Sequence, residues 1–263
     1  MEELKLLLIG IIQGLTEFLP ISSSGHIELS KAIFNINFFN ENGLLVTIVL
    51  HTATALSTLW VFRKDLFLLL KNIIQTNHND SHSFFLKIII SIIPAALVGL
   101  VFEKQIKILF NSNIILTGSM LIITGLILYF SNKIKFNEKK VGYKHAFLIG
   151  LVQAFAILPG ISRSGSTIVM ALFLGISKKE SSKFSFLMVI PLIFGALTKN
   201  FIQNKHLIDT EVSFSLAIGF MSAFITGVIA CRWMIKLVEK SKLKFFGIYC
   251  LIIGTIALLY ESI

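Results

Sequence analysis

"QGLTEFLPISSSGH", residues 13–26, lies between apolar flanks and gathers a carboxylate, a proline, three consecutive serines, a glycine and a histidine. Those flanks belong to a chain of 263 residues that is 55% hydrophobic and only 14% charged. Its mean hydropathy of +0.83 lies well outside the range of soluble domains. This is the composition of an integral membrane protein. A span needs roughly 20 apolar residues to cross about 30 Å of hydrocarbon. Runs of that kind lie near 43–62, 84–103, 112–131, 183–201, 211–231 and 243–260, which predicts about six transmembrane helices. The stretch 66–74 is too short to span and reads as a short packed or interfacial helix. Met1, Glu2 and Glu3 lack the basic start of a signal peptide, so the first segment is expected to be retained structure.

The formal net charge is +10, but the lysines sit in short loops between apolar runs. Anionic lipid headgroups, not nucleic acid, are the expected counter-charge. Cys231 and Cys250 fall in or beside predicted spans. Two thiols make neither a disulfide framework nor a Cys-rich metal site, and both read as small packing residues. The whole chain, 1–263, reads as one integral membrane domain, with one half near 1–132 and the other near 143–263.

The opening stretch recurs. A shift of 140 residues lays "LIGIIQGLTEFLPISSSG" (8–25) over "LIGLVQAFAILPGISRSG" (148–165), with eight of eighteen columns identical. Each repeated segment, 4–34 and 145–174, is too long for one span and too short for two. Its middle is rich in Pro, Gly and Ser, which suit turns and disfavour helix interiors. Each therefore reads as a re-entrant helix-turn-helix hairpin, tolerated at membrane depth where protein or a wet cavity surrounds the turn. With both hairpins re-entrant, seventeen Lys/Arg fall in the loops of one face and six on the other, Arg163 belonging to neither. The lysine-rich face is then cytoplasmic and both termini lie outside. The first hairpin enters from outside and the second from the cytoplasm, an inverted-topology repeat with its tips near the midplane. The expected fold is all-α and polytopic.

The tips carry the chemistry. Gln13 and Glu17 share a helix face at i, i+4, and a carboxylate at that depth requires a partner, water or a cation. Beyond Pro20, Ser22, Ser23, Ser24 and Gly25 offer hydroxyls and backbone N–H groups at a helix start, where anions bind readily. His26 follows on the first turn, as a catalytic or phosphate-contacting candidate. In "PGISRSGST" (159–167), Arg163 stands among Ser162, Ser164, Gly165, Ser166 and Thr167, a phosphate clamp in physical terms. Brought together, the tips hold nucleophiles, a base and positive charge, the parts for phosphoryl transfer. Inside a membrane boundary, the phosphate ester is expected to hang from a lipid. His51 is expected to open a helix that Arg63, Lys64 and Asp65 close, either touching the cavity or simply ending the helix. His78 and His82 lie in a polar loop where solvation is the default.

The pair "QGLTEFLPISSSGH" and "PGISRSGST", with "HTATALSTLWVFRKD" at 51–65, closely resembles the undecaprenyl-diphosphate phosphatase family of the bacitracin-resistance (BacA/UppP) type, over essentially the whole chain. The resemblance implies removal of the terminal phosphate of undecaprenyl diphosphate, which recycles the lipid carrier of peptidoglycan synthesis and confers bacitracin resistance. It also implies a divalent cation, Mg2+ or Ca2+, and a site on the outer face of the bacterial inner membrane. Its acidic motif falls on Gln13 and Glu17, its serine and histidine on Ser23 and His26, and its arginine motif on Pro159–Thr167, centred on Arg163. The family pattern allows Gln at the first acidic position, but Gln13 leaves one motif carboxylate. Glu17 is then the expected cation ligand, with Gln13 a weak one. In the expected mechanism Glu17, alone or through His26, activates Ser23; the rival within the family makes His26 the nucleophile. Two other classes compete. One is a polyprenyl-phosphate transporter or flippase using the same inverted-repeat site. The other is the acid-phosphatase type of lipid phosphatase, whose lysine-arginine-proline element and late histidine this chain lacks. Oligomeric state is left open, a homodimer included.

Overall fold

The computed structural model describes residues 2–34, 38–74, 80–110, 113–131, 138–203 and 214–261. In chain order the helices are α1 (Glu2–Phe18), α2 (Ser23–Phe34), α3 (Phe38–Val61), α4 (Arg63–Ile74), α5 (Asp80–Val101), α6 (Glu103–Leu109) and α7 (Ile114–Phe130). They continue with α8 (Tyr143–Phe155), α9 (Arg163–Phe173), α10 (Lys178–Leu187), α11 (Val189–Gln203), α12 (Phe214–Glu239) and α13 (Leu243–Glu261). Extended structure among the described residues is one isolated bridge between Lys139 and Ile176.

The described residues of all six predicted spans lie almost wholly in helices, but fewer of those helices are long and apolar enough to cross a membrane. Asp80–Val101, Lys178–Lys199, Phe214–Glu239 and Leu243–Glu261 pass alone. A fifth is reached if Leu45–Val61 is joined to Arg63–Asn72 across a 71° bend. Ile114–Phe130, at 17 residues, is apolar but shorter, about 25 Å at 1.5 Å per residue. The bend corrects one expectation, because Arg63, Lys64 and Asp65 open α4 and do not close the preceding helix. Their charges cannot continue an apolar span, so the chain turns along α4, where Phe67, Leu68 and Leu70 are exposed. His82 sits in the first turn of α5, and His78 lies outside the described residues.

Polarity is inverted relative to a soluble protein. Leu97, Leu100, Ile115, Ile225, Ile229 and Ile256 are exposed on the outside, while Gln13, Glu17, Ser57, Ser91, Gln153 and Ser181 are buried. Lipid in place of water makes that arrangement favourable. Packing joins the two halves of the sequence: α1 lies along α12, α8 along α5, and α7 along α13, while α3 also packs on α12. Small residues let backbones approach. A Cβ at Gly150 would collide with the Ser91 carbonyl oxygen and stand 2.9 Å from Ser91 Cα, and one at Gly247 would stand 2.7 Å from the Tyr129 nitrogen.

Candidate active site

Both Pro/Gly/Ser stretches break their segments into two helices, and local chemistry explains where. Pro20 follows the end of α1, and Ser22 takes φ 68°. The Ser22 hydroxyl then accepts the Gly25 N–H at 3.2 Å and caps α2. In the second stretch Gly160 takes φ 95°, and the Ser162 hydroxyl accepts the Gly165 N–H at 3.1 Å to cap α9. Each capping serine also neighbours the serine two residues on, Ser22 and Ser24 at 3.2 Å and Ser162 and Ser164 at 3.4 Å. Thr124 on α7 braces the second turn, donating to the Gly160 carbonyl and accepting from the Ser162 N–H, both at 3.0 Å.

The tips meet around Glu17, which is buried. Its Oε1 pairs with the Arg163 guanidinium. Its Oε2 accepts from Ser23 Oγ at 2.8 Å and from Gln13 Nε2 at 3.1 Å. Gln13 Nε2 also lies 3.2 Å from His51 Nδ1, and that nitrogen is 3.8 Å from Glu17 Oε2. Turning the amide over would set its oxygen against a carboxylate, so Nε2 donates to both neighbours and the His51 proton sits on Nε2. His51 belongs to the middle of α3, not to its start as expected, and it reaches the site from there.

Glu17, Ser22, Ser23, Ser24 and His51 line one part of a cavity of about 230 Å3. Gln153, Ser162, Arg163 and Ser164 line it from the second half. One carboxylate, one guanidinium, a partly buried Ser23 hydroxyl and further hydroxyls thus converge in one hollow. A larger hollow of about 380 Å3 between α5 and α8, walled by Ile93, Pro94, Leu97, Phe147, Leu151 and Phe155, lacks such groups.

Other expected site residues take different places. His26 Nδ1 stands 2.8 Å from the Ser22 carbonyl and so donates to it; in the neutral ring Nε2 accepts from the Tyr249 hydroxyl at 2.8 Å. The His26 ring stacks on Tyr249 at 5.6 Å and is not among the residues lining the cavity. Thr167 donates back to the Arg163 and Ser164 carbonyls of its own helix. Gly25 and Gly165 give their N–H groups to the caps and serve the contact between tips. Sequence reasoning gave no role to Gln153 or Tyr249. Gln153 had one signal, the glutamine column of the repeat.

A hard divalent cation is held by oxygen, commonly through one or two carboxylates completed by substrate phosphates. Among the described residues no group of three or more His, Cys, Asp or Glu could hold a metal. Gln13, whose Nε2 bonds Glu17, has its Oε1 at the other end of the amide, buried and without a hydrogen-bond partner. That donor set fits a cation shared with a bound phosphate and does not fit an all-protein cage.

The chain matches the family model described as bacitracin resistance protein BacA over residues 6–256. It is 51% identical over 255 residues to the undecaprenyl-diphosphatase of Christiangramia forsetii, covering 97% of this chain and 96% of that one. Its identity to the undecaprenyl-diphosphatase of Bacteroides fragilis is 40% over 267 residues, covering 100% of both. With the protein of that name from Methanococcus vannielii it shares 40% over 261 residues, covering 97% of this chain and 98% of the other.

Proposed function

The chain belongs to the bacitracin resistance protein family, and on that premise we propose that it is an undecaprenyl-diphosphatase, releasing the terminal phosphate of the lipid diphosphate. The observation that carries this reading is the Ser23 Oγ–Glu17 Oε2 hydrogen bond of 2.8 Å beside the Glu17–Arg163 pair. A hydroxyl held by a carboxylate next to a guanidinium is an activated nucleophile with a phosphate clamp.

In this mechanism Ser23 Oγ attacks the terminal phosphorus as its proton passes to Glu17. The Oγ–P bond forms, and the bond from phosphorus to the bridging oxygen breaks. Undecaprenyl phosphate leaves with the electron pair. Arg163 turns its remaining donors to the equatorial oxygens, where charge develops. His51 keeps Gln13, and through it Glu17, in position. Water then attacks phosphorus, Ser23 recovers its proton from Glu17, and phosphate departs. The engagement of both His26 nitrogens supports Ser23 over His26 as nucleophile. A divalent cation, held by Glu17 and the Gln13 carbonyl oxygen, would supply further neutralisation of phosphate charge when bound.

The lysine-rich loops favour a plasma-membrane protein with that face cytoplasmic and the cavity open outward. There the product would return to carry peptidoglycan precursors, and abundance of the enzyme would confer bacitracin resistance. The test is phosphate release from C55 and shorter polyprenyl diphosphates by detergent-purified protein, with and without chelator. Release is expected, and its loss in Glu17→Ala and Arg163→Ala. Lipid binding without release would replace the enzyme by a transporter. Trapping the phosphoenzyme and locating the label by mass spectrometry should place it on Ser23; label on His26 would overturn the assignment.

A further inference from the structure

Gln153, at the end of α8, is 1% exposed, and neither its Oε1 nor its Nε2 has a hydrogen-bond partner. Among the described residues it is the only buried side-chain amide unpaired at both ends. Gln13, 140 positions earlier, spends its Nε2 on Glu17 and His51. A buried amide with neither end paired is costly and rare, and this one lines the polar cavity together with Ser23 and Arg163. Because both ends are unpaired, the requirement is the same whichever way the amide is turned. It needs an acceptor for its N–H groups and a donor for its oxygen. A phosphate oxygen satisfies the first, and an O–H satisfies the second.

We propose that Gln153 holds the water that hydrolyses the phosphoserine, its carbonyl oxygen accepting from that water while its N–H groups donate to a phosphate oxygen. The inference rests on the covalent reading of the reaction given above. In the second step the Oγ–P bond of Ser23 breaks, and water enters on the face opposite Oγ. Glu17 is bonded to Ser23 Oγ and is placed to return the proton to it. Glu17 therefore stands on the leaving-group side, and the entering water needs a different partner. Gln153 comes from α8, separate from the α1 and α2 residues that hold the nucleophile. As the water oxygen bonds to phosphorus and the P–Oγ bond breaks, Glu17 protonates Oγ and both water protons stay on the released phosphate, so the step balances.

The experiment is rapid-quench kinetics on the full-length protein in detergent with divalent cation, using farnesyl diphosphate labelled in its terminal phosphate. Gln153→Leu and Gln153→Ala should release farnesyl phosphate in a burst at close to the wild-type rate. Phosphate release should then slow by about tenfold or more, and label should accumulate on Ser23. Formation of the phosphoenzyme also reports that each variant is folded. Phosphate release that keeps pace with farnesyl phosphate in both variants would overturn the role of Gln153, as would a rise in KM alone. Phosphate release by the wild type with no covalent label at any time would overturn the phosphoserine reading itself, and this inference with it.

Discussion

Gly25 of the first tip lies against Gly160 of the second, so closely that a Cβ at 25 would stand 3.2 Å from the Gly160 Cα. The reciprocal pair, 140 residues on for one partner and 140 back for the other, is Gly165 against Pro20, where a Cβ would stand 3.0 Å from the proline Cβ. Each tip is therefore the packing surface of the other. The position of Arg163 relative to Ser23 and Glu17 depends on that contact. Gly160 is the most constrained of these residues. Its φ is 95°, and an added Cβ would meet Met120 Cβ at 2.8 Å as well as the Thr117 carbonyl. Gly160→Ala should lower stability by about 1–3 kcal/mol from the backbone conformation alone, with more from the collision. The expected result is a lower melting temperature in detergent and loss of phosphate release; unchanged melting would show that the turn has room.

The two histidines near the first tip should separate in their effects. Tyr249→Phe removes the hydroxyl bonded to His26 Nε2 and keeps the stacked ring. It should cost about 1 kcal/mol of stability and leave kcat within about twofold. His51→Ala removes the acceptor that steadies Gln13 beside Glu17, and should lower kcat by about tenfold or more. Steady-state kinetics on both variants checks this. A collapse of kcat in Tyr249→Phe would return His26 to the chemistry.

Gln13→Glu tests the cation. The substitution would place a second carboxylate where the amide now donates to Glu17 at 3.1 Å, removing a hydrogen bond and adding like-charge repulsion. Without divalent cation the variant should be less stable than the wild type by about 1–3 kcal/mol. Added Mg2+ or Ca2+ should raise its melting temperature more than that of the wild type, and half-maximal phosphate release should need less cation. An equal shift in both proteins would place the cation away from residue 13.

What could be read from the sequence divides along the range of the interactions. The breaks at Pro20 and at Pro159–Gly160 were legible because proline and glycine act locally on the backbone. The convergence of Glu17 and Arg163 was legible because the repeat sets the two polar stretches in corresponding positions of the two halves, where the expected inverted topology would let them meet. His51 was legible only as one of two alternatives, because a single histidine in an apolar helix carries no pattern, and its approach to Gln13 depends on how α3 is rotated against α1. The direction of the His26 ring was equally hidden, since Tyr249 lies 223 positions away. Nor was the 71° bend after α3 legible, because the basic residues at 63 and 64 suit the end of a span as well as the start of a surface helix.

The remaining prediction concerns orientation, on which the access of an external lipid diphosphate depends. The proposed orientation sets Lys140, whose side chain is 82% exposed, on the cytoplasmic face and the exposed Lys104, at the start of α6, on the outer face. The native thiols give little background, since Cys231 and Cys250 are both free and fully buried. In intact spheroplasts a membrane-impermeant maleimide should label Lys104→Cys and leave Lys140→Cys unmodified until the membrane is permeabilised. The positive-inside bias works through loops within about 15–20 residues of span ends, and both positions satisfy that condition. Labelling of Lys140→Cys alone in intact spheroplasts would reverse the protein in the membrane and turn the Ser23–Glu17–Arg163 cavity toward the cytoplasm.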